Sequence, residues 1–475
     1  MRVALSLLTG LLITSSLSAA GTWQVTTSLP VSKAQNFAVK WNGSVYVVGG
    51  APWRNGNDYD GSVFKLQNGA WVEVEPLTGM GPIVDQVGGV DDLNRVVVFG
   101  GHDSMNGDIG SARSYTPTDG TDGEINEPIN LPFDRVATAV DNLNRVYRMG
   151  GGPGPIGFNY GHVLRYTGST DSWEQLAYLP YTRASVATTY DGQGHIWGFG
   201  GYTSFGLPRL YDTIRYTIAT NTWESIGVSY LPVQTSNAKA VLGADGKIYV
   251  IGGLIGSTAT GTSTASVWVL NNPGGVNPVP VVAGPPLNMA RHDFAAVLGD
   301  DKFIYVIGGS STVGDASKSV ERLYTGVCPS VGSQSPSTTL DAGATLTLTA
   351  AAAGDAPLTF QWKRNGVALV NGPTPNGSTI GGATLTTLTI SNIAAEDAGS
   401  YTFSATNPCS TATGAAISVT VNAFEPADYN HDGHVNGSDL AQLLGAWGTA
   451  NATIDLNGDG TINGADLAVL LGAWG

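Results

Sequence analysis

The sequence predicts a mainly β protein in three parts: six four-stranded sheets, then a β-sandwich, then a small tail with two short helices. Three observations carry this. A diglycine led by apolar residues returns about every 50 residues through the first two thirds of the chain. From Cys328 the pattern changes to the residue-by-residue alternation of strands. Two Asp/Asn-rich loops, each followed by a short apolar run, occupy the last 50 residues. Composition agrees. Only 12% of the 475 residues are charged and 65 are glycine, a turn-dense mix unlike that of a helical bundle. The net charge of −15 repels phosphate backbones, so the sequence predicts no nucleic-acid partner.

The chain opens with Met1 and Arg2, an apolar run from Val3 to Ile13, and Ser18-Ala19-Ala20. One positive charge, a short apolar stretch and small residues before Gly21 read as a secretory signal, residues 1–20, cleaved near Ala20. The run is too short to span a bilayer, which takes about 20 apolar residues. The sequence therefore predicts a secreted or cell-surface protein with no transmembrane segment. The two cysteines, Cys328 and Cys409, are then free to form a disulfide.

The repeats fill residues 21–326. Val45-Tyr46-Val47-Val48-Gly49-Gly50 returns as Val96-Val97-Val98-Phe99-Gly100-Gly101, as Ile248-Tyr249-Val250-Ile251-Gly252-Gly253 and as Ile304-Tyr305-Val306-Ile307-Gly308-Gly309, with further diglycines at Gly150-Gly151 and Gly200-Gly201. Successive first glycines are 51, 50, 50, 52 and 56 residues apart. Turn signals such as Asp191-Gly192 and Asp245-Gly246 place short strands on either side. Tyr166 with Trp173, and Tyr216 with Trp223, follow in their units, whereas the second unit lacks the Trp and the fifth has Trp268. A lone four-stranded sheet cannot cover both its faces; six stacked radially can. Trp23 precedes the first diglycine, which suggests an N-terminal strand completing the last sheet. The pattern resembles the Kelch repeat, and the resemblance implies a six-bladed Kelch-type β-propeller.

Residues 327–422 carry Thr345–Leu348 alternation, Phe360-Gln361-Trp362-Lys363 before the turn Asn365-Gly366, and Asp397-Ala398-Gly399-Ser400-Tyr401. A mid-domain Trp and this Asp-x-Gly-x-Tyr corner resemble an immunoglobulin-like β-sandwich. Phe403 stands where that family's second core cysteine falls. The resemblance instead puts Cys328 and Cys409 at one end of the sandwich, where they can bridge.

Residues 423–475 hold the sharpest chemistry. Asp428, Asn430, Asp432 and Asp439 repeat as Asp455, Asn457, Asp459 and Asp466, with glycines Gly433 and Gly460 at the sixth loop position. Oxygen ligands at positions 1, 3, 5 and 12, with backbone carbonyls of His434 and Thr461 at position 7, describe two calcium loops. The segment has seven acidic residues and no Lys or Arg, so it is expected to fold around two calcium ions. Paired loops each followed by one helix resemble a dockerin module, which implies docking to a cohesin-like or surface partner.

No enzymatic signature stands out in residues 21–326. There is no cysteine for a copper–radical centre, and the Ser-x-Asp-x-Gly-x-Thr-Trp, Gly-x-Ser-x-Gly and His-Glu-x-x-His motifs are missing. Lys33, Arg135, Arg183 and Arg291 lie 16, 15, 17 and 17 residues before their diglycines. In the Kelch family that place faces the channel mouth, so two readings stand: a cationic clamp for a carboxylate, or ties between neighbouring blades through backbone carbonyls. Trp53, Tyr59 and Tyr160, in loops after diglycines, suit stacking on sugars or ordinary loop packing. The expected function is a modular binding protein taking a glycan or an extracellular protein and linked to polysaccharide utilisation or surface assembly. A sugar mutarotase or lyase is the alternative.

Overall fold

The computed structural model describes residues 21–52, 60–76, 84–103, 107–108, 112–117, 121–126, 135–152, 160–203, 209–256, 261–275, 280–312, 315–423, 425–430 and 433–475. The expected signal, residues 1–20, lies outside them. The chain divides into two compact units, residues 1–326 and 327–475.

The first unit holds six four-stranded antiparallel sheets. Their innermost strands are Phe37–Trp41, Val87–Val90, Ala137–Val140, Ala187–Tyr190, Lys239–Leu242 and Ala295–Leu298. Each adjoins the next, and the sixth adjoins the first. Neighbouring sheets cover each other's apolar faces: Tyr147, Met149 and Val163 of the third pack with Val186, Ile196 and Ile214 of the fourth. Every buried CH₂ there stabilises by about 0.8 kcal/mol. The sixth sheet takes its outer strand from the N-terminus, with Gln24 opposite Arg322 and Thr26 opposite Val320, as Trp23 suggested.

Two devices hold sheet to sheet, and both explain the repeat. The first is the diglycine. Gly308 and Gly309 have φ of 67° and 88°, open to glycine at no steric cost. A Cβ on Gly308 would lie 2.2 Å from the Lys33 carbonyl oxygen of the first sheet. Absence of that Cβ lets Gly309 N–H donate to the same oxygen at 2.7 Å. Gly151, Gly201 and Gly253 donate likewise to Arg183, Thr235 and Arg291 of the sheets that follow. The second is the outer tryptophan. Trp71, Trp173, Trp223 and Trp23 donate their indole N–H to Thr27, Asn126, Ala177 and Pro285 of the preceding sheet, at 2.7–3.0 Å. In the second sheet, which lacks the Trp, the Tyr115 hydroxyl donates to the Glu75 carbonyl instead.

In the second unit, residues 330–422 form a five-stranded and a six-stranded sheet. Trp362, fully buried, packs with its ring centre 5.0 Å from that of Phe403. Cys328 and Cys409 are joined by a disulfide with Cα atoms 5.3 Å apart. Tyr401 donates its hydroxyl to the Asp397 carbonyl at 2.6 Å, pinning the corner. The tail carries helix α1 (Gly437–Gly445) and helix α2 (Gly464–Gly472) over a core of Val435, Leu443, Ile462 and Leu470. Among the described residues no helix is long and apolar enough to cross a membrane.

Candidate functional site

Each tail loop is wound around the last carboxylate of its pattern. In the second loop, Asp466 accepts from the N–H of Leu456 (2.8 Å), Asn457 (3.2 Å) and Asn463 (2.8 Å). These donors hold its carboxyl below the usual range. Asp466 is also the third residue of α2 and closes a capping box with Asn463, so one short side chain ties loop to helix. Asp455 accepts from Gly458 and Gly460 at 2.8 and 2.7 Å. Asn457 and Asn463 donate to Asp459 and lower its pKa. Carboxylate oxygens of Asp455, Asp459 and Asp466 all lie within 4.8 Å of one another.

The first loop repeats this. Asp428 and Asp439 are buried. Asp428 accepts from Gly433 N–H at 2.8 Å, and Asp439 from Asn430 and Asn436 at 3.2 and 3.0 Å. Asn436 caps α1. The position-7 carbonyls of His434 and Thr461 accept from the Asn436 and Asn463 amides at 3.2 and 2.8 Å. The fifth-position carboxylate, Asp432, falls outside the described residues. The donor set is all oxygen, and no Lys or Arg between 424 and 475 balances it. That fits a hard divalent cation of calcium's size.

At the ring of sheets, the structure separates what the spacing had merged. Lys33, Arg183 and Arg291 are buried at 0, 0 and 1% exposure. Each bonds the carbonyl of its own sheet's first diglycine residue, Gly49, Gly200 or Gly308. Each also pairs with a carboxylate: Lys33 with Asp60 at 2.9 Å, Arg183 with Asp212 at 3.0 Å, Arg291 with Glu321 at 2.6 Å. Burial lowers the pKa of Lys33 and Arg291 against the pull of these partners. Burial works against the Asp60 carboxylate too, but Lys33 and the Ser62 N–H hold it below its usual range. The clamp reading is therefore corrected for these three: their donors are turned into their own sheets. They tie backbone carbonyls, as the second reading had it, but within a sheet rather than across sheets.

Arg135 occupies a different place. It belongs to a set of six residues, one per sheet, in the left-handed region: Gln35, Asp85, Arg135, Ser185, Asn237 and Asp293, with φ between 51° and 57°. Their backbones link around the ring. Gln35 donates to Asp293, Asp85 to Gln35, Ser185 to Arg135 and Asn237 to Ser185, at 2.7–3.2 Å. Side chains reinforce it, with Gln35 donating to Asp85 at 2.8 Å and Asn237 to Asp293 at 2.6 Å. Arg135 reaches the Tyr202 hydroxyl at 3.1 Å. All six line a vestibule of about 50 Å³. Below it the six innermost strands enclose a channel cavity of about 480 Å³. The sequence reading missed this ring, because its side chains differ in every unit. Its one signal was Asp or Asn in three of the six places, residues that tolerate φ above zero.

Tyr160 is half-buried beside His162, with ring centres 6.1 Å apart. His162 in turn lies 4.9 Å from Tyr178. Trp53 and Tyr59 fall outside the described residues. Sequence reasoning also missed Tyr178, Tyr181 and Tyr211, which are 57, 65 and 48% exposed.

Comparison with known families covers the second unit. Residues 329–407 match the immunoglobulin domain family and residues 426–472 the dockerin type I domain family. No curated protein matches the chain. This mainly β chain thus carries an immunoglobulin-like domain and, at its C-terminal end, a dockerin type I domain, a calcium-dependent module of the kind that docks to cohesins.

Proposed function

We propose that this is an exported modular binding protein. Residues 21–326 act as a six-bladed Kelch-type propeller that recognises a glycan or a glycan-bearing extracellular protein. Residues 327–422 act as a spacer, and residues 423–475, holding two calcium ions, dock the chain to a cohesin-type partner. The cyclic adjacency of the six innermost strands supports the propeller. The duplicated loops support two ions, and the disulfide suits an oxidising compartment.

The observation that carries the ligand class is the aromatic surface of the third and fourth sheets. Tyr178 and Tyr230 follow the outer strands Ser172–Gln175 and Thr222–Ser225. The Tyr178 ring lies tilted 4.9 Å from His162, and Tyr230 lies 5.3 Å from Tyr211. Exposed rings beside hydrogen-bonding groups such as His162 and Gln175, which meet at 3.2 Å, offer a sugar both a flat apolar face and polar anchors. Glycan-array binding by the full chain, weakened about fivefold or more in Tyr178→Ala/Tyr211→Ala, is the expected result, since two aromatic contacts together amount to about 1–3 kcal/mol. Equal array signals from the two proteins would refute it.

A further inference from the structure

The mouth ring and the channel below it differ in what they admit. The vestibule inside the ring is about 50 Å³, room for a few waters only. The cavity enclosed by the six innermost strands is about 480 Å³, within the range of small-ligand sites, about 300–1,000 Å³. A ligand that fills the cavity therefore enters where these strands end, on the side away from the ring.

Strand alternation builds the cavity wall. Val39, Ala139 and Val241 are buried between sheets, which turns the residues on either side of them toward the channel. Nearer the ring stands a layer of small residues: Ala38, Gly88, Thr138, Thr188, Ala240 and Ala296. Nearer the far end stands a larger layer: Lys40, Val90, Val140, Tyr190, Leu242 and Leu298. Thr188 donates its hydroxyl to the Thr138 carbonyl at 2.8 Å, so that donor is satisfied within the wall. Leu93 and Leu143, in the turns after the second and third of these strands, are more than half exposed and add apolar surface at the same end.

The charges at the two ends are already matched. Lys40 donates to Asp300 at 2.7 Å. Lys239, at the other end, lines the vestibule together with Asp85 and Asp293. An anion would meet balanced cations in a chain of net charge −15. A cation would shed its hydration against an apolar wall. Small residues below the ring and branched ones at the far end leave a space that suits an uncharged hydrocarbon.

We propose that the channel binds one uncharged aliphatic chain, such as that of a medium-chain primary alcohol, entering from the end opposite the mouth ring. Its terminal methyl rests against Ala38, Ala240 and Ala296, and its hydroxyl stays at the far end near Asn144, which also lines the cavity. The proposal is independent of the sugar-stacking surface.

Calorimetry of the full chain with the series from 1-butanol to 1-octanol tests it. One alcohol should bind per chain, each added methylene tightening binding about threefold to fourfold, as expected for burying a CH₂. Octanoate and octylammonium should bind about tenfold more weakly than 1-octanol, or worse. Ala296→Phe, which fills the small layer, should weaken 1-octanol about fivefold or more. NMR of the unaltered chain, labelled at alanine and leucine methyls, keeps the test decisive if that variant fails to fold. Contacts should run from the 1-octanol methyl to Ala38, Ala240 and Ala296, and from its carbinol CH₂ to Leu242 and Leu298. Absence of binding, an affinity flat along the series, octanoate binding as tightly as 1-octanol, or contacts at other methyls would each overturn the proposal.

Discussion

Replacing Arg291 by alanine tests whether the pre-strand cations are structural. Its guanidinium donates to the Gly308 and Ser319 carbonyls at 2.9 and 3.1 Å, to the Ser319 hydroxyl at 3.2 Å and to Glu321 at 2.6 Å. Both partners of the ion pair are at most 1% exposed. Removing one partner of a buried pair costs about 3–5 kcal/mol, because the other charge stays buried. Glu321 keeps the backbone N–H donors of Asn288 and Met289, which puts the expected loss at the low end, about 3 kcal/mol. Urea denaturation followed by tryptophan fluorescence reads this as a lower midpoint at unchanged slope. Arg135→Ala, at the half-buried mouth position, should cost no more than about 1 kcal/mol. Arg291→Met/Glu321→Leu should be more stable than Arg291→Ala, since it leaves no lone charge. An Arg291→Ala protein within about 1 kcal/mol of the parent would refute the structural assignment.

Three further outcomes are expected. Gly308→Ala sets a Cβ 2.2 Å from a carbonyl oxygen at φ of 67°; it should destabilise the first unit by about 2 kcal/mol or more, and a midpoint equal to the parent's would contradict the sheet-closing role. Asp459→Ala and Asp432→Ala should each lower the calcium stoichiometry of the full chain from two to one by calorimetry, because each deletes the fifth-position ligand; two ions bound in either variant would overturn the ligand assignment. Burial opposes the Asp397 charge, but the Ala394 N–H, Ser378, Asn376 and Arg364 together hold its carboxyl below the usual range. Its stabilisation is therefore complete above the unfolded pKa of about 4 and lost as pH falls through the lower folded value. Asp397→Asn should flatten the acid limb of the sandwich's stability profile, and an unchanged limb would refute that source.

What was legible in the sequence was whatever the backbone needs at every repeat. A diglycine is required wherever a sheet passes a hydrogen bond to its neighbour, so its spacing announced six sheets. Oxygen-bearing residues at fixed loop positions announced the dockerin domain for the same reason. Legibility ended where different side chains solve one backbone problem. The mouth ring needs only φ above zero, met by Gln35, Ser185 and Arg135 as well as by Asp85, Asn237 and Asp293. Lys33, Arg183 and Arg291 lie two residues before Gln35, Ser185 and Asp293, and on spacing alone they fell into one class with Arg135. Two residues of chain separate a buried ion pair from a solvent-facing mouth.

Solution NMR of neutral and acidic sugars mixed with the full chain tests the central claim most directly. The account predicts selective broadening of certain sugars with no new resonances over time, the mark of recognition without turnover. New sugar resonances growing with time would contradict it and make the protein a carbohydrate-active enzyme, and a panel unchanged throughout would contradict the glycan assignment of the aromatic surface.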